Sequence, residues 1–441
     1  MRETVGVYAS QEAKVEGLYG DVKEMEEAIV GAVRAVAGEL YRQGWRSYQE
    51  GWLRGHRQEY VAVRWRSRKM VTPYGVVEVP TRVIRKRGVQ AGGYQSLGKM
   101  MRRGLATRGL SPAMERAAVE VAGEQNYRPA ARQFGRWCGV PVSAWVVWSC
   151  VQYYGQKLQE HMERSWWPDR SLRRKPAIVI TEMDSAILKR QWRARREGQP
   201  KHFPLHVGVQ YTGRDWSGGA RRDVRLRDKT VLVGAGSIGV FGRRLRRQRD
   251  RHYGTGVPLS VMVSDGDEGI QWVREQSFED ALWILDRWHT AEKVRDYVGS
   301  DQEQFRRVMR GVYASDSEAA LEALRTTPSG MQQRRPEKFR ELFGFLLGNR
   351  DGIDHYREIP VRFRRSLRLE PAAVRSGSGA IEKLVEVGIN RRFKWQGRSW
   401  NPRRADRLAQ LIWLQSSPDN WQHWWNQVCL STIKVNPSWV S

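Results

Sequence analysis

The sequence predicts an α/β protein in which a mixed sheet with a helical insertion follows an α+β N-terminal region. From residue 172 onward, short apolar runs rich in β-branched residues, such as 176–181 and 257–264, alternate with longer segments of helical periodicity. Before that point, helical periodicity over residues 21–60 is followed by two alternating segments, 60–65 and 75–84. The 441 residues, 40% of them hydrophobic, are enough to form several packed domains.

The charge of the chain favours nucleic acid as its partner. Lys and Arg number 76 against 48 Asp and Glu, a formal net charge of +28. The excess is concentrated in residues 61–110, 188–251 and 373–410, which suggests a long track for the phosphates of duplex DNA. Three cysteines without metal-binding spacing argue against structural zinc and fit a reducing cytosol. With no export signal or apolar run of about 20 residues, the sequence predicts a cytoplasmic protein without a membrane partner.

In the N-terminal region the sequence predicts a basic hairpin and then three helices. The alternating segments flank Pro73-Tyr-Gly, which is typical of a hairpin turn. Helices are predicted to begin at Ser111-Pro112 and Arg128-Pro129, and a third, capped by Ser143, to run from Ala144 to about Glu163. This order predicts a helix-turn-helix-like unit whose third helix reads DNA. A plain three-helix packing unit is the alternative, because the third helix begins with apolar residues.

Carboxylates end several predicted strands of the α/β region. The first strand ends in Glu182-Met183-Asp184, and two further strands are predicted at 203–211 and 224–233. A basic helix near 238–252 precedes a strand that ends in Asp265 and another, 281–285, that ends in Asp286. Helices over 290–350 and a late helix carrying Glu382 follow. The predicted domains are 1–110, 111–170, 171–299, 300–370 (the helical insertion), 371–415 and a C-terminal tail, 416–441.

Asp184, Asp265 and Glu382 are the predicted catalytic and metal-binding residues. The two aspartates occupy strand ends, where open α/β sheets place their active sites. Carboxylates that come close together repel each other and are kept mainly where a divalent cation neutralises them, as two-metal phosphodiester chemistry requires. The pattern therefore predicts Mg²⁺ or Mn²⁺ as cofactor. It leaves Asp267, Glu386 and Glu182 open as alternative ligands.

At these residues the sequence resembles a known family. The order of strands and helices looks like the RNase H-like core of DDE transposases. The segments 264–266, 286–289, 376–382, 390–394 and 399–401 resemble the ISLre2 family of bacterial insertion-sequence transposases (the UPF0236 group), over residues 20–415 or so. The resemblance implies that Asp184 and Asp265 are the first two metal ligands and Glu382 the third. Asp286 and His289 match a D-x-x-H element that resembles a feature of related transposases. A histidine on a strand-to-helix turn is also typical of a helix cap or of a core residue, and this alternative stays open.

The resemblance also implies a reaction and partners. The expected reaction is metal-dependent cleavage at the ends of the mobile element, followed by strand transfer. The expected partners are terminal inverted repeats and target DNA, with a homo-oligomer assembled on the DNA. Beside the acids, Arg391, Arg392 and Lys394 are candidates for binding phosphates, and Trp395 and Trp400 for stacking on a base.

Two alternative functions remain open from the sequence. Gly234-x-Gly236-x-x-Gly239 follows a predicted strand and matches the dinucleotide fingerprint of an oxidoreductase. However, the helix that follows has little apolar face, and the next strand-end acid comes 26 residues after Gly239, beyond the usual spacing of about 20. The second alternative is a non-catalytic DNA-binding protein descended from a transposase.

Overall fold

The computed structural model of the chain describes residues 22–89, 93–101, 106, 109–164, 175–192, 197–216, 224–364, 380–394 and 398–430. The chain forms two compact units, one of residues 1–159 with 414–441 and one of residues 160–413. Within the described residues, no helix is both long and apolar enough to cross a membrane.

The first unit combines a three-stranded antiparallel sheet with helices. Its elements are α1 (Val22–Gly55), β1 (Tyr60–Thr72), β2 (Gly75–Lys86), β3 (Tyr94–Ser96), α2 (Leu97–Met101), α3 (Pro112–Glu124), α4 (Tyr127–Cys138), α5 (Ala144–Arg164), α18 (Pro418–Trp425) and a π-helical turn (Asn426–Leu430). The predicted hairpin is confirmed, since β1 pairs with β2 around the Pro73-Tyr74 turn. The segment predicted as a tail contributes buried Trp421, Trp424 and Trp425 to this unit.

Side-chain hydrogen bonds and helix caps stabilise the first unit. Gln49 of α1 is fully buried, and its amide is compensated because it donates to the Pro80 carbonyl (2.6 Å) and accepts from the Arg82 N–H (2.9 Å). The predicted start of α3 at Ser111-Pro112 is confirmed, and Ser111 caps the helix because its hydroxyl accepts from the Met114 N–H. Helix α4 ends at Cys138 and is followed by Gly139, whose φ of +70° suits a residue without Cβ.

The second unit is built on a five-stranded mixed sheet with the order β10-β9-β4-β5-β8. Strands β4, β9 and β10 are parallel, whereas β5 is antiparallel to both β4 and β8. Its strands are β4 (Ile178–Lys189), β5 (His202–Tyr211), β6 (Gly213–Trp216), β7 (Val224–Arg227), β8 (Thr230–Ala235), β9 (Leu259–Ser264) and β10 (Ala281–Leu285). Its helices are α6 (Ile238–Tyr253), α7 (Glu268–Ser277), α8 (Arg287–Val298), α9 (Gln302–Ala314), α10 (Ser317–Arg325), α11 (Ser329–Arg334), α12 (Pro336–Gly348), α13 (Arg350–Asp354), a 3-10 turn (His355–Glu358), α14 (Val361–Arg364), α15 (Ala380–Val385), a π-helical turn (Glu386–Asn390), α16 (Arg391–Phe393) and α17 (Pro402–Gln415).

Two strand predictions for this unit are wrong. The strand predicted to end at Asp184 continues to Lys189, because β5 pairs with it antiparallel as far as His202. Its parallel pairing with β9 stops at Glu182, so Asp184 lies just beyond the end of one neighbour. The strand predicted over 224–233 is two strands, β7 and β8, separated by a turn in which Asp228 has a φ of +48°.

The two faces of the central strand have different surroundings, because successive side chains of a strand point to opposite faces. Met183 belongs to an apolar core with Phe241 and Leu245 of α6 and Val273 of α7. Glu182 and Asp184 are on the opposite face, where Glu182 contacts α15. A second core lies among α8–α13, consistent with helices in the predicted insertion.

Candidate functional site

Two acids of the candidate site follow neighbouring parallel strands. Asp265 comes directly after β9, and its Oδ1 accepts from the Asp267 N–H at 3.0 Å. This turn needs Gly266, whose φ of +88° is one that residues with a Cβ rarely adopt. Asp286 comes directly after β10, and its N–H donates to the Ser264 carbonyl at 2.7 Å. The placement of both acids at strand ends is as predicted, and the hydrogen bond joins the two ends.

Asp267, the alternative to Asp265, has a structural role. Its Oδ1 accepts from the N–H groups of Gly269 (2.8 Å) and Ile270 (3.2 Å), and thereby caps the N-terminus of α7. An N-capping carboxylate satisfies helix N–H groups that would otherwise lack partners. This engagement makes Asp265, whose carboxylate does not cap a helix, the better candidate for a ligand.

Glu182 is buried and connects β4 to the helix that carries Glu382. The Tyr211 hydroxyl donates to its carboxylate, and Arg214 Nη2 lies 2.9 Å from Oε1. The other oxygen, Oε2, accepts from the N–H of Ile381 at 2.9 Å, in the first turn of α15. Burial raises the pKa of Tyr211, so its hydroxyl keeps the proton that it donates. With both oxygens engaged, Glu182 positions α15 and is a poor candidate for a metal ligand.

Glu382, the residue after Ile381, faces His289 and Asp286. His289 Nε2 lies 3.3 Å from Oε1 of Glu382, and Nδ1 lies 3.1 Å from Oδ2 of Asp286. Asp286 also caps α8, because its Oδ1 accepts from the Trp288 N–H at 2.8 Å. One ligand atom from each of Asp286, His289 and Glu382 lies within 4.8 Å of the others, the only such group of three among the residues that the structure describes.

The charges of the site perturb one another. Burial raises the pKa of Glu382 to about 7, and the negative charges of Asp286, Glu292 and Asp184 add to this rise against the opposing charge of His289. Burial would lower the pKa of His289, but its hydrogen bond to Asp286 and the nearby carboxylates raise it to about 9. At neutral pH His289 is therefore a cation between two acids.

Asp265 is coupled to the same cluster. Burial is the main cause that raises its pKa, and the negative charges of Asp184 and Asp267 add to the rise. The hydrogen bond from the Asp267 N–H and the charge of His289 oppose it. Asp184 thus influences both Asp265 and Glu382, which are 117 residues apart in the chain. That all three bind one metal centre stays a prediction.

The donor set fits a hard divalent cation. Asp184, Asp265 and Glu382 offer carboxylate oxygens, the ligands that Mg²⁺ prefers. Oε1 of Glu382 is buried and accepts no hydrogen bond from the described residues. Its nearest opposite charge is His289, whose Nε2 lies 3.3 Å away. Glu386 is exposed, at the start of the π-helical turn, and accepts from Asn390 Nδ2 at 2.9 Å, which favours Glu382 as the third acid.

The predicted phosphate-binding residues are not equivalent. Arg391 and Lys394 are exposed, whereas Arg392 is buried with its guanidinium 5.3 Å from the centre of the Trp400 ring. Trp400 also packs on Phe393 and donates to its carbonyl. Packing against Trp400 removes Arg392 from the surface, so phosphate binding is better supported for Arg391 and Lys394 and stays a prediction for all three. Trp395 and the approach to α15, residues 376–379, lie outside the described residues.

The glycine motif does not have the surroundings of a dinucleotide site. Strand β8, which precedes Gly236, pairs antiparallel with β5 and has no parallel neighbour in the sheet. The fingerprint requires a strand-helix-strand unit whose two parallel strands are neighbours, whereas β4 and β5 separate β8 from β9. Gly239 instead allows close packing, because a Cβ there would lie 2.6 Å from the Trp272 ring.

Sequence reasoning missed the partners of Glu182. Tyr211 and Arg214 lie 29 and 32 residues after it, and nothing in their local sequence indicates a buried ion pair.

A comparison with protein families finds that the model described as "Uncharacterised protein family (UPF0236)" matches residues 21–421. No curated protein matches the chain.

Proposed function

The chain belongs to the UPF0236 family, and from this premise we propose that it is the DNA transposase of a bacterial insertion sequence, acting in the cytoplasm. The single observation that carries the proposal is the set of carboxylates at the ends of two neighbouring parallel strands, Asp265 and Asp286, with Glu382 facing Asp286 across His289. Burial is the main cause that raises the pKa of Asp265 and of Glu382, and the charge of Asp184 adds a smaller part to both. Carboxylates gathered in this way in a chain of net charge +28 support phosphodiester cleavage.

The sheet supports an RNase H-like assignment of the core. Its strands follow the order by which the sequence resembles DDE transposases: three strands, a helix, a strand ending in Asp265, a further strand with helices, and a late helix with Glu382. The central position of β4 brings Asp184 beside the end of β9. The chain order alone does not bring them together, because four strands (β5 to β8) and α6 intervene.

The proposed reaction is hydrolysis at the element ends, which frees 3′-hydroxyls, followed by their in-line attack on target phosphodiesters. Asp184, Asp265 and Glu382 would hold Mg²⁺ or Mn²⁺. When bound, the cations supply activation of the attacking oxygen and stabilisation of the leaving oxygen. His289, held by Asp286, orients the Glu382 carboxylate and places a positive charge beside it. Exposed Arg391 and Lys394 are available to bind the phosphates of the DNA strand.

The test is cleavage of duplex DNA that carries the element's own ends, with Mg²⁺ or Mn²⁺ and with a chelator. We expect D184N, D265N and E382Q each to abolish cleavage without weakening DNA binding, because they remove metal ligands and leave the basic surfaces intact. E386Q is the matched control, since it makes the same change one helical turn away on an exposed carboxylate. It should lower the rate by less than about tenfold, or about 1.4 kcal/mol of barrier.

The outcomes separate the candidate functions. Wild-type turnover by D184N or E382Q would overturn the assignment of the acids. A wild-type protein that binds the ends and cleaves nothing with either cation would instead be the non-catalytic relic.

A further inference from the structure

Helix α4 of the first unit has one basic face and one buried face. Arg128, Arg132 and Arg136 are exposed and follow one another at intervals of four residues. Because four residues advance a helix by about 6 Å and little more than one turn, the three guanidinium groups line one side over about 12 Å. The opposite side is buried through Ala130, Ala131, Phe134 and Cys138. The helix therefore presents arginines to solvent while its apolar side is already satisfied.

Among the described residues, no acid forms an ion pair with this arginine face. Helix α4 contains no Asp or Glu. Within the part of the chain that the structure describes, Arg128, Arg132 and Arg136 make no ion pair and no hydrogen bond. By contrast, Arg116 of the preceding helix lies 2.7 Å from Glu120. Three adjacent unpaired guanidinium groups repel one another and are favoured where an external anion binds them.

Helix α5 has few basic side chains to bind phosphates, although the sequence predicts it as the helix that recognises DNA. Residues 144–156 of α5 carry no charge, and the first basic residue is Lys157. Its side chains Val147, Cys150, Val151 and Tyr154 are buried at helical spacing, so α5 packs the interior of the unit.

The connection between α3 and α4 is as short as a helix-turn-helix unit needs. Only Gln125 and Asn126 separate the two helices. In such units the second helix lies in the major groove, and residues near its N-terminus contact the bases. Arg128 is the second residue of α4, so this position falls to an arginine.

We propose that α4, through Arg128, Arg132 and Arg136, is the helix that enters the major groove of duplex DNA; this inference rests on the proposed function. A helix with side chains is about 10–12 Å across, which matches the major groove of B-DNA at about 12 Å. The deep, narrow major groove of A-form RNA does not admit it. The partner is therefore duplex DNA.

The experiment compares two variants of the full chain that lose the same charge. R128A/R132A changes the α4 face, and R306A/R310A changes an exposed pair at the same spacing on α9. Binding to a fluorescent duplex of about 30 base pairs is measured across a salt series. For R128A/R132A we expect at least about tenfold weaker binding and a salt slope reduced by about 2, because two phosphate contacts are lost. R306A/R310A should match the wild type in both quantities.

Further variants keep the inference testable if R128A/R132A folds poorly. R128Q/R132Q keeps side-chain length and should lose affinity, whereas R128K/R132K keeps charge and should retain the salt slope. The inference is overturned if R128A/R132A or R128Q/R132Q binds duplex DNA like R306A/R310A, or if duplex RNA binding falls equally. A wild type that binds through α4 but does not cleave contradicts only the proposed function. One that cleaves with an affinity independent of α4 contradicts only this inference, and one that binds no DNA contradicts both.

Discussion

Replacing Glu182 should release the helix that carries Glu382. In E182A the buried Arg214 loses its carboxylate partner, and the Ile381 N–H loses its acceptor. Removing one member of a buried ion pair costs about 3–5 kcal/mol, because the remaining charge stays buried without compensation. In a unit of about 250 residues, where 1 kcal/mol shifts Tm by about 2–4 °C, the loss corresponds to a Tm lowered by about 10 °C.

Two measurements distinguish lost stability from a displaced helix. Calorimetry gives Tm, and hydrogen exchange followed by mass spectrometry gives the protection of residues 380–390. E182L/R214M removes both charges and should recover most of the stability, since apolar replacement of a buried pair is often neutral. It still offers no acceptor to the Ile381 N–H, so exchange in 380–390 should stay faster than in the wild type.

E182Q keeps an oxygen for that N–H but lacks the charge that Arg214 requires. It should retain more protection of residues 380–390 than E182L/R214M despite a lower Tm. Wild-type Tm and wild-type exchange in E182A would refute the argument that Glu182 holds α15.

The cation and the packing behind the Glu382 helix give two further predictions. Because the pKa of Glu382 is raised to about 7, this group stabilises the metal-free fold most below about pH 4.5, and that stabilisation is lost as the pH rises through about 7. Excess Mg²⁺ should therefore raise Tm more at about pH 8 than at about pH 5.5. Equal Tm shifts at the two pH values, or the same shifts in D184N/D265N, would contradict this. G388A should lower the free energy of unfolding by about 1–3 kcal/mol, and Tm by about 2–10 °C, because the new Cβ overlaps the Trp413 ring. G344A is the control: Gly344 of α12 has open space around it, so Tm should stay unchanged or rise.

Local patterns predicted the elements of the fold better than the contacts between them. The sequence predicts Asp265 and Asp286 at strand ends because each directly follows an apolar run. Both runs are strands that end immediately before the aspartate. The prediction that Asp184 ends its strand is wrong, because antiparallel pairing with β5 continues the strand beyond it. The local sequence does not encode that pairing. The basic run around Arg392 predicts an exposed side chain, but Arg392 is buried against Trp400. Sequence spacing does not determine this contact.

The contacts of Glu182 were beyond sequence reasoning for the same physical reason. Its hydrogen-bond partners lie 29, 32 and 199 residues away, and only the paired strands and the docked helix bring them to one carboxylate. Alternation along β4 does place Glu182 on the face of Asp184. It does not indicate which of the two acids is neutralised.

Glu182 and Asp184 differ in how the fold neutralises them, and the proposed cation concerns only Asp184. The two acids lie two residues apart on one face of one strand, and the fold supplies Arg214 to the first. Among the described residues, neither Asp184 nor Asp265 has a Lys or Arg within ion-pair distance, although the chain carries 76 such residues. Burial and mutual repulsion nevertheless raise the pKa of Asp265. A chain with this excess of basic residues could neutralise these acids as it neutralises Glu182. Acids without a Lys or Arg partner, one within β4 and one directly after β9, are therefore what the proposed divalent cation would require.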